Sequence, residues 1–217
     1  MLEEKNAKNH FAKIIQKNWL ICRYNPRYSV CKKILENNNN IQISISATTR
    51  KPRKNEVDGI DYNFISREDF QNRIKNNEFL EYAEVFDNFY GSLIEDVEKI
   101  TKFKKDVLFD IDWQGTQQLY QSKPSNLVSI FILPPSKDEI ENRLRQRKVD
   151  SGDDESIINK RMSKFKDEIS HWVEYDYVVI NNKLETCVDE ILSIVHVERK
   201  KRRRQLNLVN KVRELTS

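Results

Sequence analysis

Apolar and polar positions change period several times along this chain, and each change marks an element. From 41 to 46, IQISIS alternates with a period of two, the pattern of a strand. ATTRKPRKNEVDGIDYNF follows as a loop carrying Pro52 and Gly59, and DGIDYNFIS then returns to alternation, which predicts a second, antiparallel strand set. SREDFQNRIKNN places Phe70 and Ile74 four apart behind Ser66, with Glu68 and Asp69 in the first turn. That spacing predicts a capped amphipathic helix stopping at Asn76-Asn77. FLEYAEVFDNFYGS alternates on both sides of Asp87-Asn88 and predicts a hairpin.

Farther along, the pattern becomes one of continuous apolar runs. VLFDID (107 to 112), LVSIFILP (127 to 134) and YDYVVIN (175 to 181) suit strands buried on both faces. Helix-like segments lie around them, at 92 to 105, 113 to 121, 136 to 148, 155 to 174 and 184 to 204. Regular alternation of strand and helix predicts a parallel sheet with helices on both sides and right-handed crossovers, with 47 to 92 inserted into it. Upstream, WLICRYNPRYSVCKKILENNNN (19 to 40) reads as a short apolar strand, a turn around Asn25 and Pro26, and a basic, apolar-striped helix. Many folds seat a phosphate on that layout, but this turn has no glycine to bring backbone N–H groups close. Residues 1 to 18 read as a polar, Asn- and Lys-rich leader with little to bury, at most a short helix.

Composition narrows the class. A chain of 217 residues with 38% hydrophobic and 33% charged positions supports one sizeable α/β domain with an insertion. The net charge of +4 is mild, although basic residues crowd into Arg199 to Arg204. Nucleic acid is therefore an unlikely partner, and cations at a helix C-terminus are favoured by its dipole without any ligand. Three cysteines, Cys22, Cys31 and Cys187, at no metal-like spacing argue against a disulfide framework or a zinc site and fit a reducing cytoplasm. No apolar run approaches the roughly 20 residues of a membrane span, and the N-terminus, with Glu3 and Glu4, lacks a signal-peptide core. An oligomeric state leaves no mark in these patterns.

In parallel sheets ligands bind beyond the C-terminal ends of the strands. That rule singles out Ser46 with the TTR after it, Asp110 and Asp112 in FDIDWQG, and Asn181. In TTRKPRKNE, Arg50, Arg53 and Glu56 stand three apart, on one edge of a polyproline-like path, where two guanidinium forks suit a phosphate. The same spacing also fits a solvated basic loop. EFLEYAEVF sets Glu81 among apolar neighbours, with Tyr90 and Ser92 near by in FYGS. A fixed carboxylate there accepts the paired N1–H and N2–H donors of guanine but meets an acceptor in adenine; an edge-strand charge is the alternative. Arg143 and Arg147, four apart, and Arg161 flank an acidic, Gly-bearing loop. They fit a lid that neutralises transferring phosphates as well as they fit exposed helix faces.

SISATTRKPRKNEVDGIDYNF, NNEFLEYAEVFDNFYGS, VLFDIDWQG, IFILPPS, RLRQR, INKRM and EYDYVVIN, in this order, resemble the guanylate kinase family, from about Ser29 to about Arg199. The resemblance implies a P-loop NTPase-type parallel sheet flanked by helices, with an inserted mixed α/β GMP-binding region (47 to 92) and a short lid (about 148 to 160). The core would be 29 to 46 with 93 to 204, and 205 to 217 a tail. It implies transfer of the ATP γ-phosphoryl group to GMP with Mg2+, in the cytoplasm. Ser46, Glu81, Ser92 and Asp112 would then contact guanine, and Arg50, Arg53, Tyr62 and Tyr90 the GMP phosphate, with Glu56 supporting their loop. Arg143, Arg147 and Arg161 would embrace the phosphates, Asn181 would meet adenine, and Asp110 would help organise magnesium through water. The sequence departs from the family at three places. Asn182 and Lys183 follow Asn181 where two acids are usual, and the loop between Arg147 and Arg161 is a few residues longer. Most of all, residues 1 to 28 are unlike the family, with Cys22 to Pro26 at the glycine-rich loop, Arg27 at its lysine and Tyr28 at its magnesium-binding hydroxyl. Weak ATP use is expected on that account, and a GMP- or phosphopeptide-binding module without catalysis is the alternative.

Overall fold

The computed structural model describes residues 12–17, 30–53, 56–122, 126–142, 145, 155–205 and 208–217. Five parallel strands form the main sheet: β1 (Ala12–Lys17), β2 (Ile41–Ile43), β7 (Asp106–Phe109), β8 (Ser129–Leu133) and β9 (Tyr177–Ile180). Their spatial order is β2-β7-β1-β8-β9. The apolar runs behave as predicted, since all four residues of β7 and the first four of β8 are buried. Burial on both faces follows from a helix layer on each side. One core joins Leu108, Ile130, Ile132 and Val179 to α1 (Val30–Asn37) and α6 (Leu184–Lys200) through Val30, Ile34, Cys187 and Ile191. The alternate residues Val107 and Phe109 pack with Ile100 of α3 (Ile94–Lys102) and Leu119 of α4 (Trp113–Ser122).

The leader needs correcting. Within the segment expected to form at most a short helix, the structure places a strand, Ala12–Lys17, in the middle of the sheet. It pairs with β7 from Ala12↔Val107 to Ile14↔Phe109 and with β8 from Ile14↔Ser129 to Lys17↔Ile132. Position in a sheet is set by backbone pairing on both edges, which leaves no two-residue period to read among flanking Lys and Asn residues. Residues 18–29, the glycine-free turn among them, lie outside the described residues.

The insertion carries its own sheet, ordered β4-β3-β6-β5 from β3 (Ala47–Thr48), β4 (Asn63–Phe64), β5 (Phe79–Val85) and β6 (Asn88–Leu93). It is mixed, because β3 pairs parallel with β4 and antiparallel with β6. Ser66 caps α2 (Arg67–Lys75) as expected, its Oγ accepting from the Asp69 N–H at 3.0 Å. The buried Phe70 stacks on Phe79 and Phe89 at 4.3 and 5.3 Å between ring centroids. The hairpin turns at Phe86 and Asp87, one residue before the expected pair. Both have positive φ, 47° and 63°, the combination that matches the strands' right-handed twist. Gln118 of α4 fastens the insertion to the core, accepting from Tyr82 N–H at 3.1 Å and donating to Tyr82 C=O at 2.7 Å.

At the C-terminus the predicted helix stops at Lys200, and Arg202–Arg204 form a 3-10 turn. The two ends of the basic run, Arg199 and Arg204, are turned inward, and the four residues between them are exposed. Arg199 donates twice to Asp106, at 3.0 and 2.7 Å, while Arg204 donates to Leu127 C=O at 2.9 Å and stands 3.1 Å from the buried Glu198. Tyr177 and Lys201 also bind Glu198. The segment expected as a tail contains a last helix, α7 (Leu208–Thr216), with no buried residue.

Removing one member of a buried ion pair strands the other. Arg204→Met should therefore lower the free energy of unfolding by about 3 kcal/mol. The exposed Arg202→Ala should cost less than about 0.5 kcal/mol. Urea denaturation of the two variants beside the parent chain checks the contrast.

Candidate active site

β3 leads directly into the arginine loop. Arg50 makes a two-pronged ion pair with Glu56, Nη1 to Oε2 at 2.9 Å and Nη2 to Oε1 at 2.8 Å, and the Arg53 N–H donates to Glu56 Oε2 at 2.8 Å. The three residues meet through a turn, closed by Glu56 N–H on Arg53 C=O at 3.0 Å, rather than along one edge of an extended path. Tyr62 and Phe64 lie under the Arg50 guanidinium, 5.4 and 5.7 Å from it to their centroids, and Tyr90 meets Tyr62 edge-on at 6.1 Å. Burial pushes the Glu56 carboxyl up, but the Arg50 hydrogen bonds and the Arg53 N–H outweigh it and hold the group below its usual value. For Arg50 burial works downward, and Glu56 reverses it. The loop thus presents a permanently charged, preoriented fork.

Beside it lies a narrow cleft lined by Ser46, Glu81, Tyr90, Asp110 and Asp112, with Ala83, Val85, Gly91 and Ile111 as its apolar wall. Glu81 is 3% exposed and pairs across the hairpin with Ser92, which is fully buried. The Ser92 hydroxyl has no hydrogen-bond partner among the described residues. Alternation explains this placement: Glu81, Ala83 and Val85 fall on the inward face, and Tyr82 and Glu84 point out.

Asp112 has a structural duty as well. It caps α4, its Oδ1 accepting from Gly115 N–H at 3.0 Å, while its C=O accepts from Thr116 N–H and Oγ1–H at 3.0 and 2.9 Å. Tyr175 donates to Thr116 Oγ1 at 3.0 Å, and burial pushes its phenol pKa far above the ordinary value, so the hydroxyl remains a donor. Gly115, Thr116, Gln118 and Tyr175 escaped the sequence reading. Aspartate followed by WQG ahead of a helical stretch is nevertheless a legible capping signal.

Parallel strands put Asp110, Asp112 and Asn181 at the same edge of the sheet. Asn181 is 7% exposed and donates the last rung of β9, to Leu133 C=O at 2.7 Å. It does not line the cleft. Three strand spacings, about 14 Å, separate β9 from β7, which sets Asn181 apart from this cleft. Arg161 lies on α5 (Glu155–Ser170). Arg27, Arg143 and Arg147 lie outside the described residues, as does the expected lid up to residue 154. A second cleft adjoins the first between the hairpin, the start of α4 and α5, lined by Val85, Asp112, Trp113, Lys164 and Asp167 among others. There Lys164 reaches over the Phe86 ring at 4.8 Å.

Comparison with known proteins agrees with this geometry. The guanylate kinase family profile matches residues 26–198. The guanylate kinase of Paramagnetospirillum magneticum is 48% identical over 187 residues, covering 86% of each chain. That of Cereibacter sphaeroides is 50% identical over 176 residues, covering 81% of this chain and 82% of its own. The crystal structure of guanylate kinase from Anaplasma phagocytophilum superimposes with a TM-score of 0.76 at 33% identity, over 94% of this chain and 93% of that one. Sequence, sheet order and inserted cleft lead to one conclusion: the chain belongs to the guanylate kinase family.

Proposed function

We propose that the cleft binds GMP and that the chain transfers the γ-phosphoryl group of ATP to it, giving GDP and ADP. A GMP phosphate oxygen forms the new P–O bond as the bond from the γ-phosphorus to the β–γ bridging oxygen breaks, and ADP leaves. The observation that carries this reading is the buried Glu81, opposite Ser92 in the hairpin register, in a cleft adjoining the Arg50–Glu56 fork. Glu81 accepts from guanine N1–H and N2–H, with Ser46, Ser92 and Asp112 as polar neighbours. Arg50, Arg53, Tyr62 and Tyr90 hold the phosphate, and Glu56 keeps the guanidinium forks aimed. Arg143, Arg147 and Arg161 neutralise charge on the transferring group, and Asn181 borders the adenine. Arg27, in place of the loop lysine, meets the ATP phosphates.

Bound with ATP, Mg2+ would supply charge neutralisation at the phosphates. The described residues contain no group of three or more His, Cys, Asp or Glu side chains that would cage an ion. They fit magnesium nonetheless, because it keeps several waters and takes phosphate oxygens beside one or two carboxylates. Asp110, lining the cleft, would hold such a water. No described helix is long and apolar enough to cross a membrane, and the partners we propose are GMP and ATP in the cytoplasm.

The glycine-free stretch CRYNPRY favours a second reading, in which GMP binds but ATP is used poorly. Losing a single preorganised donor costs about 10²–10³ in rate. Replacing residues 22–28 with a glycine-rich, lysine-bearing loop should raise kcat at least about 10²-fold and leave GMP affinity unchanged. If the parent chain shows GMP-dependent turnover that the new loop does not improve, the stretch is not the limiting part.

The direct test of function is ADP formation with GMP, with AMP as control. Glu81→Gln should lower kcat/KM for GMP by about 10²-fold and erode the preference over AMP, since the amide keeps one acceptor and gains a donor. No GMP-dependent ADP above background, in either the parent or the loop-replaced chain, would refute the transferase reading.

The Arg50–Glu56 pair should also shape acid stability. Glu56 is held below the usual 4.5, so its contribution is complete above that value and disappears as pH falls through the lower, folded one. Denaturant titrations should show a constant stability gap between the parent and Glu56→Gln from about pH 7 to 5. The gap should close only under more acid conditions.

A further inference from the structure

Two of the chain's four glycines border the Glu81 residue. A Cβ on Gly91 would stand 2.8 Å from Glu81 C=O and 2.9 Å from Tyr82 Cβ. One on Gly115 would overlap Glu81 Oε2 outright and stand 3.1 Å from Glu81 Cδ and 3.3 Å from Ile111 Cδ1. Neither glycine has the positive φ that would explain it by backbone freedom; among the described glycines only Gly59 does. Glycine is the poorest helix former after proline, so its place in the first turn of α4 needs another reason. The Glu81 carboxylate supplies one.

The helix cannot retreat from a larger residue. Asp112 caps its first turn, Thr116 is held by Asp112 C=O and by the Tyr175 hydroxyl, and Gln118 grips both backbone groups of Tyr82, next to Glu81. An added methyl at 115 would have to be absorbed by rotation of the carboxylate. Two adjacent donors are met by a carboxylate only when its plane lies along theirs, so rotation sacrifices one of the two contacts.

We propose that Gly115 is a positioning residue for guanine selection. It clears the space in which Glu81 Oε2 rests against the first turn of α4, and so sets the carboxylate plane that distinguishes a 2-aminopurine from one without that group. This rests on Glu81 being the guanine acceptor.

Calorimetry on the full chain, with GMP, inosine monophosphate and AMP and no ATP, tests it independently of turnover. Gly115→Ala should weaken GMP about tenfold or more but inosine monophosphate, which lacks the 2-amino donor, much less, so that their ratio falls toward one. In a Glu81→Ala background the same substitution should change GMP affinity less than about twofold, because nothing remains to be displaced. If Gly115→Ala alone fails to fold, the double variant should fold and bind as Glu81→Ala does. An equal loss for both nucleotides, an undiminished cost in the Glu81→Ala background, or a double variant that also fails to fold would overturn the proposal. If Glu81→Ala itself leaves the preference for GMP intact, the reading of Glu81 fails instead.

Discussion

Keeping the Glu81 carboxylate almost out of water, in the wall of a cleft, is the constraint around which the site is arranged. A buried Glu is expensive unless its surroundings are fixed, and Glu81, in the wall of the cleft, is only 3% exposed. The hairpin supplies its strand and the opposite Ser92, while α4 supplies the floor. Asp112, Thr116, Tyr175 and Gln118 keep that floor in register with the hairpin. Insertion and core therefore behave as one wall at the cleft.

The second requirement is charge. The Arg50–Glu56 pair joins two groups with little exposure, at 14% and 6% of their side chains, so the fork is held in place before a phosphate arrives. Tyr62 under its face restricts it further. An arginine already held by a carboxylate loses less freedom on meeting a ligand than one drawn from solution. In the function proposed above, Glu56 would act on the phosphate only through Arg50 and Arg53.

The chain made these features legible to different degrees. Strands buried on both faces announced themselves in VLF and SIFIL, and the alternating FLEYAEV placed Glu81 inward because a hairpin has only two faces. Ser66 declared its helix through a local cap. β1 was missed because the pairing that makes it central comes from strands roughly 95 and 115 residues away, and no local period encodes that. The inward turn of Arg204 was hidden for a related reason: its partners Glu198 and Leu127 become neighbours only after the sheet and α6 have packed. The candidate residues at strand ends, Asp110, Asp112 and Asn181, were placed there by topology. Those that support them, Gly115 and Tyr175 above all, follow from contacts between elements.

A crystal structure of the full chain with GMP tests the central claim most directly. Guanine N1 and N2 should each lie about 2.7–3.2 Å from one Glu81 carboxylate oxygen, with the phosphate between Arg50 and Arg53. A base seated elsewhere, or one turning another edge toward Glu81, would contradict it.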